Sequence, residues 1–310
     1  MPVPNSGLLL PSSGIMERVF LERMMKKYFV TFFLFVVMTV SIYSVDGRGH
    51  LFIIGGGERS ESMMKEFISL AAAHGSGKII VFPMASSVPL EVGPEQAQQF
   101  LDWGAASAES HILNRAEAKD TESARLLDGI GGVFFSGGDQ SRLADVLLGT
   151  PLLDAIKKLY EEGGVVGGTS AGAAVMSAVM ITGDEKRPPG EDRAFETIEA
   201  DNIITAPGFG FVQDMIVDQH FIRRRRLNRL ISLVLEYPKL LGVGIDEGTA
   251  ILVSPDRTFK VVGESQVLIF DAADARIRRR NDFRVSAEGL NFFVLFAGDV
   301  FDLERRKVVR

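Results

Sequence analysis

The stretch "VVGGTSAGAAVM", residues 165–176, places one serine, Ser170, within a run of small residues. Apolar residues and two glycines precede the serine, and residues that favour helices follow it. The stretch therefore predicts a strand, a sharp turn and a helix. Two interpretations fit this pattern. The G-x-S-x-G spacing is typical of a nucleophile held on a strained turn, and the same small residues also suit plain close packing of a strand against a helix.

The order of strand, turn and helix repeats on either side of this stretch. Examples are "LFIIGGG" (51–57), "SESMMKEFISLAAAHGSG" (60–77), "KIIVFPMAS" (78–86) and "GGVFFSGGD" (131–139). Such alternation predicts an α/β fold with a mainly parallel, doubly wound sheet. Ligands bind beyond the carboxyl ends of such strands, so the glycine turns at 55–57, 137–138 and 167–168 are expected to converge on one crevice.

The second half of the chain departs from this alternation. Residues 181–200 are charged and rich in Pro and Gly, which is typical of a surface loop or insertion, and we expect it near the crevice. After a predicted helix near 222–236, three strands follow in quick succession: "LLGVGID" (240–246), "TAILVSP" (249–255) and "TFKVVG" (258–263). Short connections between strands predict an antiparallel C-terminal extension of the sheet.

Composition narrows the classes of function. The chain has 310 residues, 46% hydrophobic content, a formal net charge of −6 and no cysteine. It can bury a sizeable core, and its negative charge argues against a protein that coats nucleic acid. The absence of cysteine excludes disulfides, thiolate nucleophiles and Cys-ligated metals.

The N-terminus predicts export. Lys26 and Lys27 precede an uncharged stretch, residues 28–45, and residues 24–46 resemble a signal peptide or an N-terminal membrane anchor. A buried core helix is the alternative. Residues 1–23 are expected to be a disordered or upstream extension, and residues 47–310 the functional domain. We expect the functional domain in the periplasm or outside the cell, either released or anchored to the membrane through residues 28–45.

A nucleophilic Ser170 needs a base and a group that orients the base. Among the four histidines, His50, His74 and His111 have ordinary structural explanations, whereas His220 stands in "IVDQHFIRRRRLNRL" (216–230) between a strand-like run and a basic helix. A capping or packing role for His220 remains an alternative. The acid is expected in "GVGIDEGTAIL" (242–252), where spacing alone does not choose between Asp246 and Glu247.

Several motifs together resemble cyanophycinases: "GGTSAGAAVM", "SGGDQ", "IVDQHF", the arginines 224, 226 and 229, and "GIDEGTA" occur in the order found in that family, over roughly residues 50–300. The resemblance implies a serine peptidase with a class I glutamine amidotransferase-like fold. By motif, Ser170 resembles the family nucleophile, His220 its general base and Glu247 the acid that orients the histidine.

The remaining motif positions suggest how a substrate is held. In a G-x-S-x-G turn the Ala171 amide faces the developing oxyanion, and an amide near Gly138 can complete the oxyanion hole. Asp139 stands where the family most often has asparagine. By resemblance, Gln140, Asp218 and Gln219 line the pocket, with Asp218 a partner for a substrate cation. Arg224, Arg226 and Arg229 match positions that hold substrate carboxylates, although a run of arginines also suits a solvated helix face.

The resemblance implies an exported serine exopeptidase that cleaves cyanophycin, a polyaspartate bearing arginine on its side-chain carboxyls, to β-aspartyl-arginine dipeptides. It implies an acyl-enzyme, neither metal nor organic cofactor, and a homodimer. One alternative is an isoaspartyl or aspartyl dipeptidase of the same family. Another is a non-catalytic, membrane-anchored binding protein.

Overall fold

A nine-stranded sheet lies at the centre of the computed structural model, which describes residues 49–188, 190 and 195–310. Its parallel half consists of β1 (His50–Ile54), β2 (Lys78–Phe82), β3 (Ser107–Ser110), β4 (Ile130–Phe135) and β5 (Val165–Thr169). These strands lie in the order β3-β2-β4-β5-β1, and every neighbouring pair among them is parallel. The sequence interpretations of residues 1–23 and 24–46 lie outside the described residues.

Helices cover both faces of this sheet, which confirms the doubly wound prediction. The helical elements are α1 (Glu61–Ala72), α2 (Pro89–Asp102), α3 (Arg115–Lys119), a 3-10 helix (Thr121–Leu127), α4 (Gln140–Leu147), α5 (Pro151–Glu161) and α6 (Ala171–Ala174). Phe52 and Ile54 of β1 pack with α1 and α2, whereas Leu51 and Ile53 pack on the side of α4, α5 and α6. This division follows from the alternation of side chains along a strand.

Side-chain caps set the start of several helices. Ser60 accepts a hydrogen bond from the Met63 amide at the start of α1, at 3.4 Å. Thr150 caps α5 immediately before Pro151, and Asp139 caps α4 by accepting from the Ser141 amide at 2.8 Å. Each cap supplies an acceptor for an amide that has no partner within its helix. The aspartate at position 139 therefore has a local structural role as a helix cap.

The chain then forms a hairpin and enters a second sheet. Strands β6 (Val179–Glu185) and β7 (Ile203–Pro207) pair antiparallel, and β8 (Met215–Gln219), α7 (Leu227–Glu236) and β9 (Leu241–Ile245) follow. The charged stretch 181–200 therefore begins as a strand rather than as a surface loop. Its described residues pack against the core through Ile181 and Phe195.

The remaining strands divide between the sheets: β10 (Thr249–Val253), β11 (Thr258–Gly263), β12 (Val267–Asp271), β13 (Arg276–Arg279), β14 (Val285–Glu288), β15 (Asn291–Leu295), β16 (Val300–Asp302) and β17 (Lys307–Val309). Strands β10 and β11 extend the central sheet antiparallel from β1, as predicted. Strands β16 and β17, which the sequence analysis does not predict, continue this extension. Strands β13 and β14 form a separate hairpin.

Strand β9 corrects the prediction for this end of the chain. It does not join the antiparallel extension, because it pairs parallel with β8 and antiparallel with β12 in a four-stranded sheet of order β15-β12-β9-β8. All five residues of β9 are buried, so its apolar run fits the interior of either sheet equally well.

The two sheets meet at the turn after β1. The Gly55 carbonyl accepts a hydrogen bond from the His220 amide at 2.7 Å, and the Gly56 carbonyl accepts from the Gly248 amide at 2.9 Å. This junction brings the residues that follow β8 and β9 to the carboxyl ends of β1 and β5. Across residues 49–188, 190 and 195–310, no helix has the length and apolar character needed to span a bilayer.

Candidate active site

Ser170 occupies a strained turn between β5 and α6. Its φ and ψ are 54° and −108°, and its amide donates to the Ile54 carbonyl at 3.0 Å. Non-glycine residues rarely adopt a positive φ, and such strain persists where the surroundings fix it. The flanking glycines are needed for packing, because a Cβ at Gly168 would lie 2.3 Å from the Gly172 carbonyl oxygen. Close packing and a partly buried serine hydroxyl therefore coexist in this turn.

His220 lies directly against this serine. The side chain follows β8, is only 7% exposed and has a positive φ of 49°. Its Nε2 is 2.9 Å from Ser170 Oγ, and its Nδ1 is 2.6 Å from Glu247 Oε1. The carboxylate of Glu247 can only accept, so Nδ1 carries the proton and Nε2 is free to accept from the serine hydroxyl. The three side chains form one hydrogen-bonded chain across the junction of the two sheets.

Asp246, the neighbouring acid, has a different role. It is 8% exposed, and its Oδ1 accepts from the amides of Ile222 at 3.0 Å and Arg223 at 2.9 Å. Its Oδ2 accepts from the Ser265 hydroxyl at 2.8 Å. Asp246 therefore fixes the turn that follows His220 but does not contact the imidazole.

Burial keeps the imidazole neutral. Desolvation lowers the pKa of His220 below its ordinary value of 6.5, and the positive charges of Arg224 and Arg226 lower it further, while the hydrogen bond and charge of Glu247 act in the opposite direction. Desolvation disfavours the charged form of a base. At neutral pH His220 is therefore able to accept a proton.

A glycine turn faces Ser170 from the end of β4. A Cβ at Gly137 would lie 3.4 Å from Ser170 Cβ, and Gly138 has a φ of 140°, where a Cβ would lie 2.1 Å from the Ala85 carbonyl oxygen. Only glycine fits at position 138 without displacing this backbone. The Ala171 amide belongs to the first turn of α6, where amides have no acceptor within the helix. The turns at 55–57, 137–138 and 167–168 thus converge around Ser170, as predicted.

Gln140 is engaged with backbone. It is 6% exposed, and its Nε2 donates to the carbonyls of Ile181, at 2.8 Å, and Thr182. The amide therefore ties the start of α4 to β6, and the donors of its side chain are already used by the protein.

Asp218 and Arg229 correct the predicted roles in substrate binding. Asp218 is 0% exposed and Arg229 is 2% exposed. Arg229 Nε donates to Asp218 Oδ2 at 2.7 Å, and Arg229 Nη2 donates to Asp218 Oδ1. Each charge neutralises the other beneath the surface, so neither side chain can reach a substrate in this conformation. The pair supports the crevice from behind.

Gln219 and Arg226 lie closer to the surface. Arg226 Nη1 donates to the Gln219 carbonyl at 2.7 Å and to Gln219 Oε1 at 2.6 Å, and the Arg226 side chain is 14% exposed. Burial, followed by the charge of Arg229, lowers the pKa of Arg226 to about 10. Arg226 therefore stays positively charged at neutral pH. Arg224 is exposed one turn beyond His220, and Arg223 and Arg225 are exposed as well.

Comparison with known proteins places this geometry in a family. The family model described as "Peptidase family S51" matches residues 51–261. The chain belongs to peptidase family S51. It is 34% identical over 270 residues to the cyanophycinase of Trichormus variabilis, a match that covers 83% of this chain and 86% of the relative. The cyanophycinase of Synechococcus elongatus is also 34% identical, over 272 residues, with 84% of this chain and 81% of the relative covered.

A solved structure extends the comparison to the fold. The crystal structure of a peptidase from an acI-B1 Actinobacterium superposes with a TM-score of 0.61 at 25% identity, covering 82% of this chain and 96% of that one. The mixed α/β fold, with its large and mainly parallel sheet, is thus similar to that of a solved peptidase structure. This protein is a serine peptidase.

Some features of this S51 site are not predicted by the sequence motifs. Ser265 binds Asp246, and Phe195 lies against Arg229 with the guanidinium carbon 4.9 Å from the ring centroid. Neither residue stands in a motif. The glycines "GGG" at 55–57 carry a detectable signal, because a glycine run directly after a strand indicates close approach of another group. That group is His220, whose Cε1 would lie 2.3 Å from a Cβ at Gly56.

Proposed function

We propose that this S51 peptidase is a serine-type exopeptidase that hydrolyses cyanophycin to β-aspartyl-arginine dipeptides through an acyl-enzyme on Ser170. The observation that carries the proposal is the hydrogen-bonded chain Ser170–His220–Glu247, with distances of 2.9 and 2.6 Å. A nucleophile, a neutral base and an orienting carboxylate in this geometry are the parts that acyl transfer by serine requires.

The steps follow from the proton positions. Ser170 Oγ attacks the scissile carbonyl carbon while His220 Nε2 takes the hydroxyl proton, and Glu247 stabilises the imidazolium that forms. The amides of Ala171 and Gly138 donate to the oxyanion of the tetrahedral intermediate. His220 then gives its proton to the leaving amine. Water deacylates the enzyme by the same route in reverse, and Ser170 regains its proton.

The basic side chains near His220 favour a substrate that carries an anionic group. Arg226 is partly buried beside His220, and Arg224 is exposed next to it. A guanidinium binds a carboxylate through two parallel hydrogen bonds, and partial burial strengthens the contact. Free carboxylates of the arginine groups on cyanophycin are of the right chemistry, and two relatives at 34% identity carry the name cyanophycinase.

A second candidate keeps the chemistry and changes the substrate. An isoaspartyl or aspartyl dipeptidase of the same family needs the same three catalytic residues and a shorter crevice. The β6–β7 hairpin favours this alternative, because it lies between Ser170 and His220 in sequence and contacts Gln140 next to the glycine turn. A non-catalytic binding protein has no need for a neutral, oriented histidine against a strained serine.

Location and assembly are separate parts of the proposal. Residues 24–46 direct the chain across the cytoplasmic membrane, and the peptidase domain functions outside the cytoplasm, either released or anchored through residues 28–45. The assembly is a homodimer. Cell fractionation with N-terminal sequencing tests the first statement, and light scattering on the purified protein tests the second.

A substrate panel tests the function. The purified protein is incubated with cyanophycin granules, β-aspartyl dipeptides and casein, and the products are identified by mass spectrometry, with Ser170→Ala as the matched inactive control. Release of β-aspartyl-arginine from cyanophycin by the wild type alone supports the proposal. Turnover of dipeptides without attack on the polymer selects the dipeptidase, and equal products from wild type and Ser170→Ala reject the nucleophile.

A further inference from the structure

A second group of polar side chains lies on the face of the central sheet that α1 and α2 cover. Arg59 stands between β1 and α1, and Gln96 and Gln99 belong to α2. The strands that lead to His220 and Glu247 pack on the opposite face of this sheet. The group is therefore separate from the arginines that follow His220.

Arg59 belongs to a turn that contacts the catalytic residues. The turn, residues 55–59, follows β1, and a Cβ at Gly57 would lie 2.7 Å from the Cβ of Glu247. Gly57 is itself exposed, so the segment between the orienting carboxylate and Arg59 is open to solvent. Arg59 therefore starts from the rim of the crevice, two residues beyond this contact.

Gln96 is bound to the turn that faces the nucleophile. Ser136 Oγ donates to Gln96 Oε1 at 2.6 Å, and the two residues are 0% and 9% exposed. Ser136 directly precedes Gly137, where a Cβ would lie 3.4 Å from the Cβ of Ser170. The side chain of Gln96 is thus held against residues 136–139, which we call the oxyanion turn.

Arg59 reaches the same surface of α2 as Gln96. Arg59 Nη2 donates to Gln99 Oε1 at 2.9 Å, and the guanidinium carbon is 5.8 Å from the centroid of the Phe134 ring. Gln99 is three residues after Gln96, so the two amides are neighbours on the helix surface. The guanidinium of Arg59 and the amide of Gln96 therefore lie side by side, next to the end of β4.

The hydrogen-bond donors of this group lack acceptors. Among the residues that the structure describes, no carboxylate oxygen lies within 4.0 Å of Arg59, and neither Gln96 Nε2 nor Gln99 Nε2 has an acceptor. Arg59 is half-buried, and burial lowers its pKa, whereas the charge of the exposed Glu95 raises it. A guanidinium that is partly removed from water and has no carboxylate partner is stabilised by an anion that binds to it.

We propose that Arg59 and Gln96 form a carboxylate subsite that holds the α-carboxylate of the terminal aspartate of the substrate. In a polyaspartate chain this group belongs to the residue whose amine leaves, so it is the free carboxylate closest to the scissile bond. The subsite has the corresponding position, because Gln96 binds the oxyanion turn directly. A planar guanidinium and an amide can together donate to both oxygens of one carboxylate.

The subsite would account for cleavage at a chain end. Only the terminal unit of cyanophycin has both a free aspartate α-carboxylate and a free arginine carboxylate. The first would bind Arg59, and the second would bind Arg224 and Arg226, which follow His220 on the other side of the crevice. This consequence for the polymer rests on the proposed function, whereas binding of the terminal carboxylate can be measured without turnover.

Equilibrium binding tests the subsite on the full chain. The Ser170→Ala protein, which cannot form an acyl-enzyme, is titrated by calorimetry with β-aspartyl-arginine and with the same dipeptide carrying an aspartate α-carboxamide. Adding Arg59→Gln is expected to weaken binding of the dipeptide about tenfold, the scale of one hydrogen bond to a charged group. Binding of the carboxamide should change by less than about twofold, because it has no charge at this position.

Two further variants sharpen the test. Arg142→Gln is the matched control, since Arg142 is exposed, follows the oxyanion turn and donates to the Ser86 carbonyl at 3.1 Å. It should keep both affinities within about twofold of the parent. Gln96→Glu keeps an acceptor for Ser136 Oγ but replaces the amide donors with a carboxyl group, so it should weaken dipeptide binding as Arg59→Gln does.

Three results overturn the subsite: an unchanged dipeptide affinity in Arg59→Gln, an equal loss for dipeptide and carboxamide, or a parent protein that binds neither ligand. An equal loss in Arg142→Gln would show a general effect of charge and would also overturn it. Thermal unfolding of each variant confirms that folded proteins are compared.

Cleavage of cyanophycin separates the subsite from the proposed function. With Ser170 intact, Arg59→Gln should raise KM for cyanophycin about tenfold with little change in kcat, as expected for loss of uniform binding. If wild type cleaves cyanophycin and Arg59→Gln binds both dipeptides like the parent, the subsite fails and the function stands. If wild type leaves cyanophycin intact while Arg59→Gln loses affinity for the dipeptide alone, the proposed substrate fails and the subsite stands.

Discussion

At the scale of single residues, two adjacent acids follow β9 and only Glu247 contacts the imidazole of His220. Spacing in the sequence leaves Asp246 and Glu247 equivalent, because either carboxylate at a strand end can face a crevice. The family motif favours Glu247. The structure adds the physical reason: Asp246 already accepts from Ile222, Arg223 and Ser265.

Glu247→Gln should therefore reduce kcat by about 10³- to 10⁴-fold with little loss of stability, since an amide no longer fixes the tautomer of His220 or stabilises its cation. Asp246→Ala should lower the free energy of unfolding by about 1–3 kcal/mol through its unpaired amide partners. It should reduce kcat per folded molecule far less. Steady-state kinetics and urea unfolding measure both. A large loss of kcat in Asp246→Ala, together with a loss of stability in Glu247→Gln, would contradict the geometry.

The charge beside His220 predicts the pH profile. Below the pKa of His220 the imidazole is protonated and cannot act as a base, so kcat/KM falls as pH decreases through that pKa, which lies below 6.5. The positive charge of Arg224 contributes to lowering the pKa. Arg224→Gln should thus move the acid limb of the profile to higher pH.

Arg223→Gln is the control, since the side chain of Arg223 is not among the causes of the His220 shift. Both variants are compared by the pH dependence of kcat/KM, in which a change in substrate binding alters the height of the profile but not its acid midpoint. A midpoint that moves to lower pH in Arg224→Gln would have the wrong sign for this mechanism.

At the scale of elements, the turn after β1 connects strand packing to catalysis. A Cβ at Gly56 would lie 2.3 Å from Cε1 and 2.5 Å from Nε2 of His220. Gly56→Ala should displace the imidazole and reduce kcat by about a hundredfold, which is the order of loss from a 1 Å misplacement. Gly104→Ala is the matched control, because its φ of 101° is similar to the 106° of Gly56 and no atom lies within 4 Å of its added Cβ.

Both glycine variants carry the strain of a positive φ, about 1–3 kcal/mol. Equal losses of activity at equal folded fraction would mean that strain, and not contact with His220, is responsible. Kinetics normalised to the folded fraction from circular dichroism separate the two effects.

The order of the elements is largely readable from the sequence, and their assignment to sheets is not. Alternation of apolar runs and helical stretches predicts β1 to β5 with their helices, because the pattern depends on local burial. Strand β9 is buried throughout, so nothing in its residues distinguishes the central sheet from the second one. The place of β9 depends on its pairing with β8 and β12. The first residue of β8 lies 26 residues before the first residue of β9 (241 − 215), and the first residue of β12 lies 26 residues after it (267 − 241).

At the scale of the whole molecule, the site exists only where the two sheets meet. Ser170 follows a strand of the nine-stranded sheet, whereas His220 and Glu247 follow strands of the four-stranded sheet. The motifs predict which residues act together, but they do not predict that Asp218 and Arg229 are sealed inside this junction. Arg229 follows shortly after the run of arginines at 223–226, where a basic side chain is expected at the surface, and only the packed structure shows that Arg229 points inward against Phe195 and β8.

Arg229 should accordingly control global stability. Arg229→Met leaves Asp218 as a buried charge without its bidentate partner, which costs about 3–5 kcal/mol of the free energy of unfolding. Arg224→Met, an exposed change of the same kind, should stay within about 0.5 kcal/mol of wild type. Arg226 Nη1 lies 3.8 Å from Asp218 Oδ1 and remains as a weaker partner in Arg229→Met. Because two apolar residues remove the buried pair altogether, Asp218→Leu combined with Arg229→Met should recover part of the loss. Urea unfolding of the four proteins decides the matter: an Arg229→Met variant as stable as Arg224→Met would mean that the pair is hydrated in solution, and would return Asp218 and Arg229 to the surface of the crevice.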